Sequence, residues 1–70
     1  MGTMIALKIN GESRTFDHAL TCVELIGALD LTGKRIAIER NGEIVPSSRL
    51  DTCVLQDGDH LEIVVAVGGG

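Results

Sequence analysis

The stretch "LTCVELIGALDLTG", residues 20–33, decides how the rest of the chain must be arranged. Thr21 is a favourable helix N-cap, and Glu24 stands three positions later, the spacing of a capping box. Leu20 before the cap and Leu25 inside the first turns suit a hydrophobic staple. Cys22, Leu25, Ile26 and Leu29 recur at i, i+3, i+4 and i+7, which predicts a helix with one apolar stripe. Gly33 supplies the left-handed residue that helix ends favour. Lys34 and Arg35 follow, at the negative end of the helix dipole. One amphipathic helix with one face to bury requires one apolar partner surface.

The flanking sequence supplies that surface as strands. Upstream, "MIALKIN" (residues 4–10) alternates, with Ile5, Leu7 and Ile9 on one side and Met4, Ala6 and Lys8 on the other. Asn10-Gly11 is a tight-hairpin signature, and "ESRTF" (12–16) returns as a second strand. Downstream, "RIAIE" (35–39) is a third strand with Ile36 and Ile38 inward. Asn41-Gly42 turns it into the short run "EIV" (43–45), which Pro46 confines to a sheet edge. "SSRLDT" (47–52) is irregular or a helical turn, and Asp57, Gly58 and Asp59 form a turn. "HLEIVVA" (60–66) is the last strand, with Leu61, Ile63 and Val65 inward.

The order is therefore hairpin, helix, strand, short arm, strand. A right-handed connection through the helix lays the last strand parallel to the first in the sheet centre. The predicted class is α+β: a ubiquitin-like β-grasp with a mixed sheet of four to five strands, one helix packed across one face and a flexible C-terminal tail. Residues 1–67 form the domain and residues 68–70 the tail. Gly68, Gly69 and Gly70 offer no side chain with which to offset the entropy of ordering.

Composition narrows the function. Seventy residues, 44% of them hydrophobic but with Phe16 as the single aromatic, allow one small aliphatic core and no deep enclosed pocket. The net charge is −4 and the six basic residues form no tract, which argues against nucleic acid. No stretch is long enough to span a bilayer, and the chain opens without the pattern of a signal peptide. Cys22 and Cys53 are far apart in the chain and form no C-x-x-C. They read as reduced, partly buried thiols of a cytoplasmic protein.

"NGEIVP" (41–46), "LQDGDHLEIV" (55–64) and the closing "AVGGG" (66–70) resemble the ThiS family, the small sulfur carriers of thiamine biosynthesis. The resemblance covers nearly the whole chain. It implies that Gly70 carries the reactive carboxylate, which a ThiF-like adenylyltransferase activates with ATP and Mg²⁺. It also implies conversion to a thiocarboxylate with sulfur from a persulfide protein, and delivery to a ThiG-like thiazole synthase. The carrier is then no enzyme and has no cofactor of its own, and Gly68 and Gly69 with Val67 thread the partners' active sites. Two alternatives share much of this pattern: the small subunit of molybdopterin synthase and a ubiquitin-like modifier. Ubiquitin-type tails place arginines before the glycines, where this chain has Val65, Ala66 and Val67.

Other candidate sites are weaker. His18 and His60 with two scattered cysteines have no metal-ligand spacing. Asp57 and Asp59 lack the acidic spacing of a calcium loop and read as turn formers. No phosphate-cradling glycine motif is present. Strand alternation instead leaves Met4, Ala6, Ala37, Val64 and Ala66 on the outer sheet face. These are expected to form one apolar docking patch beside the tail root.

Overall fold

The computed structural model describes residues 4–66. Strands β1 (Ile5–Ile9) and β2 (Glu12–Phe16) form the first hairpin, and α1 (Cys22–Ala28) follows. Strands β3 (Ile36–Arg40) and β4 (Glu43–Val45) form the second hairpin, a 3-10 turn spans Ser47–Arg49, and β5 (His60–Val65) comes last. The sheet order is β2-β1-β5-β3-β4, with β5 parallel to β1 and antiparallel to β3. This is the mixed five-stranded β-grasp that the element order predicts.

Both Asn-Gly pairs adopt positive φ at each residue, +50° and +85° at Asn10-Gly11 and +51° and +88° at Asn41-Gly42. That twist matches the flanking strands and fixes the register of each hairpin. The capping box is formed: Thr21 Oγ1 accepts from the Glu24 amide at 3.1 Å, and Glu24 Oε1 accepts from the Thr21 amide at 2.8 Å. The core comprises Ile5, Leu7 and Ile9 from β1, Leu20, Cys22, Leu25 and Ile26 around the helix, Ile38, Leu55, and Leu61 and Ile63 from β5. Strand alternation and the helical stripe thus select the same layer.

Two details depart from the sequence reading. The helix stops at Ala28, and the left-handed residue is Asp30 at φ +60°. The Asp30 amide donates to the Gly27 carbonyl at 3.1 Å and the Leu31 amide to the Ile26 carbonyl at 2.9 Å, a Schellman ending. Leu31 and Ile26 both pack on the core, so the hydrophobic contact of that motif outweighs the cost of a non-glycine residue there. Gly33, at φ +87°, serves a separate turn closed by Lys34 to Leu31. No basic residue lies in the last helical turn. The second departure is Val65, read as inward but 38% exposed. A seven-residue helix is about 10 Å long and a six-residue strand about 20 Å, so α1 leaves the far end of β5 uncovered.

Candidate functional site

Strand β5 leads to the glycines and is tied on both sides. It pairs with β1 and β3 on its two sides, and side chains from both hairpin turns add to the ladders. Asn10 Oδ1 accepts from the Ile63 amide at 2.8 Å while its Nδ2 donates to the Ile63 carbonyl at 3.1 Å. Asn41 Oδ1 accepts from the His60 amide at 2.9 Å, and the Asn41 amide donates to the His60 carbonyl at 2.8 Å. The last described bond is from the Ala66 amide to the Arg35 carbonyl at 2.9 Å. Everything up to Ala66 is therefore anchored to the sheet. Val67, Gly68, Gly69 and Gly70 lie outside the described residues.

The outer face near this root carries part of the expected patch. Ala37 and Val64 are direct cross-strand partners, and Val64 is 59% exposed. Ala66 is exposed beside them. Ile44, 71% exposed on β4, lies across from Glu39 on β3 and extends the surface outward. Met4 and Ala6 do not join it. Strands β1 and β5 are parallel but staggered, with Lys8 opposite His60, so Ala6 lies level with the turn before β5. The Gly58 amide donates to the Ala6 carbonyl at 2.8 Å. Six residues of strand separate that level from Val64, about 20 Å. Alternation places these residues on one face, and the stagger that divides the face is set by the loop before β5.

Glu39 and Glu62 are also directly opposed on this face. Like charges across a ladder destabilise it. Together with Val64, Ala37, Ala66 and Ile44 they give an apolar surface with an acidic border.

A second cluster lies on the opposite side of the sheet, at the loop that feeds β5. Asp59 is only 7% exposed. Its Oδ2 accepts from Arg40 Nε at 2.8 Å and from the Gln56 amide at 2.9 Å, and its Oδ1 from Asn41 Nδ2 at 3.1 Å. Burial opposes the charged carboxylate, yet the bonds from Gln56, Asn41 and Arg40 outweigh it and hold Asp59 below the usual carboxylate range. Asp59 is thus more than the turn former that the Asp57-Gly58-Asp59 sequence suggests. Arg40 also donates through Nη1 to Cys53 Sγ at 3.6 Å. Cys53 is half-buried and Cys22 fully buried, and both are free thiols. Burial first, and then the hydrogen bond with Cys53, pushes the Cys22 thiol up to about 12.

Replacing Cys22 by alanine is expected to cost about 1 kcal/mol of stability through the small cavity left behind. A denaturant titration checks this, and the chemistry at the tail should be unaffected.

His18 and His60 are exposed. The Ala19 carbonyl and then Asp17 raise the pKa of His18. Among the described residues no three of His, Cys, Asp and Glu converge on a metal-sized site. No helix among them is long and apolar enough to cross a membrane.

Known proteins share this architecture and its sequence. The ThiS family profile matches residues 7–70. The sulfur carrier protein ThiS of Bacillus subtilis is 35% identical over 65 residues, covering 91% of this chain and 98% of that one. A thiazole synthase of Paramagnetospirillum magneticum is 47% identical over 64 residues, 91% of this chain, but this chain spans only 20% of its length. The crystal structure of the thiamine biosynthesis protein ThiS from Geobacter metallireducens superposes with a TM-score of 0.80 at 32% identity, covering 94% of this chain and all of that one. With fold and sequence in agreement over most of its length, the chain belongs to the ThiS family.

Proposed function

We propose that this protein is a sulfur carrier of thiamine biosynthesis, working through the carboxylate of Gly70. A carboxylate is a poor acyl donor until an oxygen attacks the α-phosphorus of ATP and expels pyrophosphate. A ThiF-like adenylyltransferase with Mg²⁺ supplies that site. The outer sulfur of a persulfide protein then attacks the acyl carbon and AMP departs, and a thiol cleaves the S–S bond of the acyl disulfide so formed, leaving the thiocarboxylate and a disulfide on the donor side. The resulting thiocarboxylate passes its sulfur to a ThiG-like thiazole synthase. The carrier contributes position rather than acid or base groups. Glycines without Cβ atoms adopt whatever backbone angles two differently shaped partner sites demand.

The observation that carries this reading is the anchoring of β5. Asn10, Asn41 and the Arg35 carbonyl fix the strand up to Ala66, so residues 67–70 start from a defined point. Membership of the ThiS family and the thiazole synthase relatives support the choice of pathway. The direct test is ATP–pyrophosphate exchange by the adenylyltransferase. Exchange should require this chain, and exchange that is unchanged when the chain is omitted contradicts the proposal.

Val64, Ala37, Ala66 and Ile44, bordered by Glu39 and Glu62, are the proposed docking face. The matching partner surface is apolar with a basic border. Val64→Asp places a charge at the centre of that contact and should raise the KM of adenylation about tenfold or more. Its circular dichroism spectrum should match the parent because Val64 is exposed. An unchanged KM would remove this face from the interface.

A further inference from the structure

The chain brings together two thiols that the proposed chemistry at the tail does not use. The segment before α1 and the segment after the 3-10 turn pair as a short antiparallel ladder around the bridge Thr21–Val54. The Cys22 amide donates to the Cys53 carbonyl at 3.1 Å, and the Leu55 amide to the Leu20 carbonyl at 2.9 Å. Cys22 and Cys53 are therefore neighbours across the ladder. They lie on the same side as the buried pair Leu20 and Leu55, while Thr21 and Val54 point the other way. Cys22 and Cys53 share one ladder bond, the Cys53 amide donating instead to the Arg49 carbonyl at 2.9 Å, and directly opposed residues of antiparallel strands have Cα atoms about 4.5–5.5 Å apart. A disulfide needs about 4.4–6.8 Å. Cys53 is half-buried at a cleft lined by Arg40, Arg49 and Thr52, and Arg40 donates to its sulfur, whereas Cys22 is sealed in the core.

We propose that Cys53 and Cys22 form an oxidant-responsive pair, in which Cys53 meets a small peroxide and Cys22 resolves it as an intramolecular disulfide. In the first step the Cys53 sulfur attacks the peroxide, an S–O bond forms and the O–O bond breaks. The sulfur loses two electrons, the peroxide is reduced, and water leaves with the thiol proton. In the second step the Cys22 sulfur attacks the Cys53 sulfur, an S–S bond forms and the S–O bond breaks. The departing hydroxide takes the Cys22 proton as water. Two thiols and one peroxide thus give one disulfide and two waters. The cleft admits the oxidant to Cys53 alone, and the Arg40 guanidinium lies against that sulfur. The ladder holds Cys22 in place, which offsets the low reactivity of a buried thiol. The bridge joins the start of α1 to the loop carrying the cleft and leaves the outer sheet face unchanged. A reductant restores the pair, as for other redox-sensing thiols in reducing compartments.

Hydrogen peroxide treatment of the folded full chain, followed by intact mass and peptide mapping, tests this. The expected product is a monomer about 2 Da lighter, with peptides holding Cys22 and Cys53 joined and dithiothreitol reversing the change. Its Tm should rise by more than about 5 °C. In Cys22→Ala, Cys53 should stop at the sulfenic acid and react with dimedone, and in Cys53→Ser, Cys22 should stay reduced. Bridging should be slower in urea, since the folded ladder supplies the proximity. Over-oxidation of Cys53 with Cys22 left as a thiol, formation of intermolecular dimers only, or equal rates folded and unfolded would each overturn the proposal.

Discussion

Deletion of Gly70 is expected to slow adenylation at least about a hundredfold while leaving the fold intact. The shortened chain still ends in a glycine carboxylate, so the reacting group is chemically the same. Its reach is shorter by one residue, about 3.5 Å when extended. A displacement of about 1 Å already costs on the order of a hundredfold when reacting groups must align. The effect is a matter of fixed reach because the starting point does not move: Ile63 is clamped by Asn10, and Ala66 is tied to Arg35. One alanine added after Gly70 should be equally damaging, for it lengthens the arm and sets a methyl group beside the carboxylate. Both variants should melt like the parent, since the core runs from Ile5 to Ile63. Pyrophosphate exchange measures the loss, and a deletion variant that is adenylated as fast as the parent would show that reach does not matter.

Asp59→Ala is expected to destabilise the protein by about 2–4 kcal/mol, a large share of what a domain this small possesses. The substitution leaves Arg40 Nε, Asn41 Nδ2 and the Gln56 amide without their acceptor. It also loosens Asn41, which holds the start of β5 through His60. Asp59→Asn should cost less, because one oxygen can still accept from Gln56. The acid dependence separates the charge from the shape. The folded carboxylate is held below its ordinary range, so as pH falls the unfolded chain binds this proton first. Its contribution is complete above the unfolded value of about 4 and is lost as pH falls through the lower folded value. Urea titrations between about pH 6 and pH 3 should show a steeper loss for the parent than for Asp59→Asn. Parallel curves would mean that Asp59 acts through shape alone.

Local signals carried most of the fold. Thr21 and Glu24 marked the helix start, two Asn-Gly pairs marked the hairpins, and alternation assigned Ile5, Leu7, Ile9, Leu61 and Ile63 to one layer. What stayed hidden depends on partners remote in the chain. Nothing around Asn10 indicates that it bonds Ile63, and nothing around Asp59 indicates Arg40. In both cases a turn residue doubles as a clamp only because the sheet order places β5 between the hairpins. The pairing of Cys22 with Cys53 is illegible for the same reason. The stagger of β1 against β5, which separates Ala6 from Val64, is set by a loop with no periodic pattern to read. The helix end was misplaced because glycine is the usual left-handed residue, and here Asp30 takes that role with Leu31 held against the core.

Sulfur carried on Gly70 is visible as a change of mass in the intact chain. The full chain would be incubated with a ThiF-like adenylyltransferase, ATP, Mg²⁺, a persulfide donor and a thiol reductant, then weighed and fragmented. Replacement of one carboxylate oxygen by sulfur should add about 16 Da, the difference in atomic mass that defines the acyl exchange. Fragmentation should place it on Gly70, and the gain should disappear without ATP. A chain that keeps its original mass with every such enzyme, or that carries the added sulfur on Cys53 or Cys22 instead, would show that Gly70 is not the carrier site.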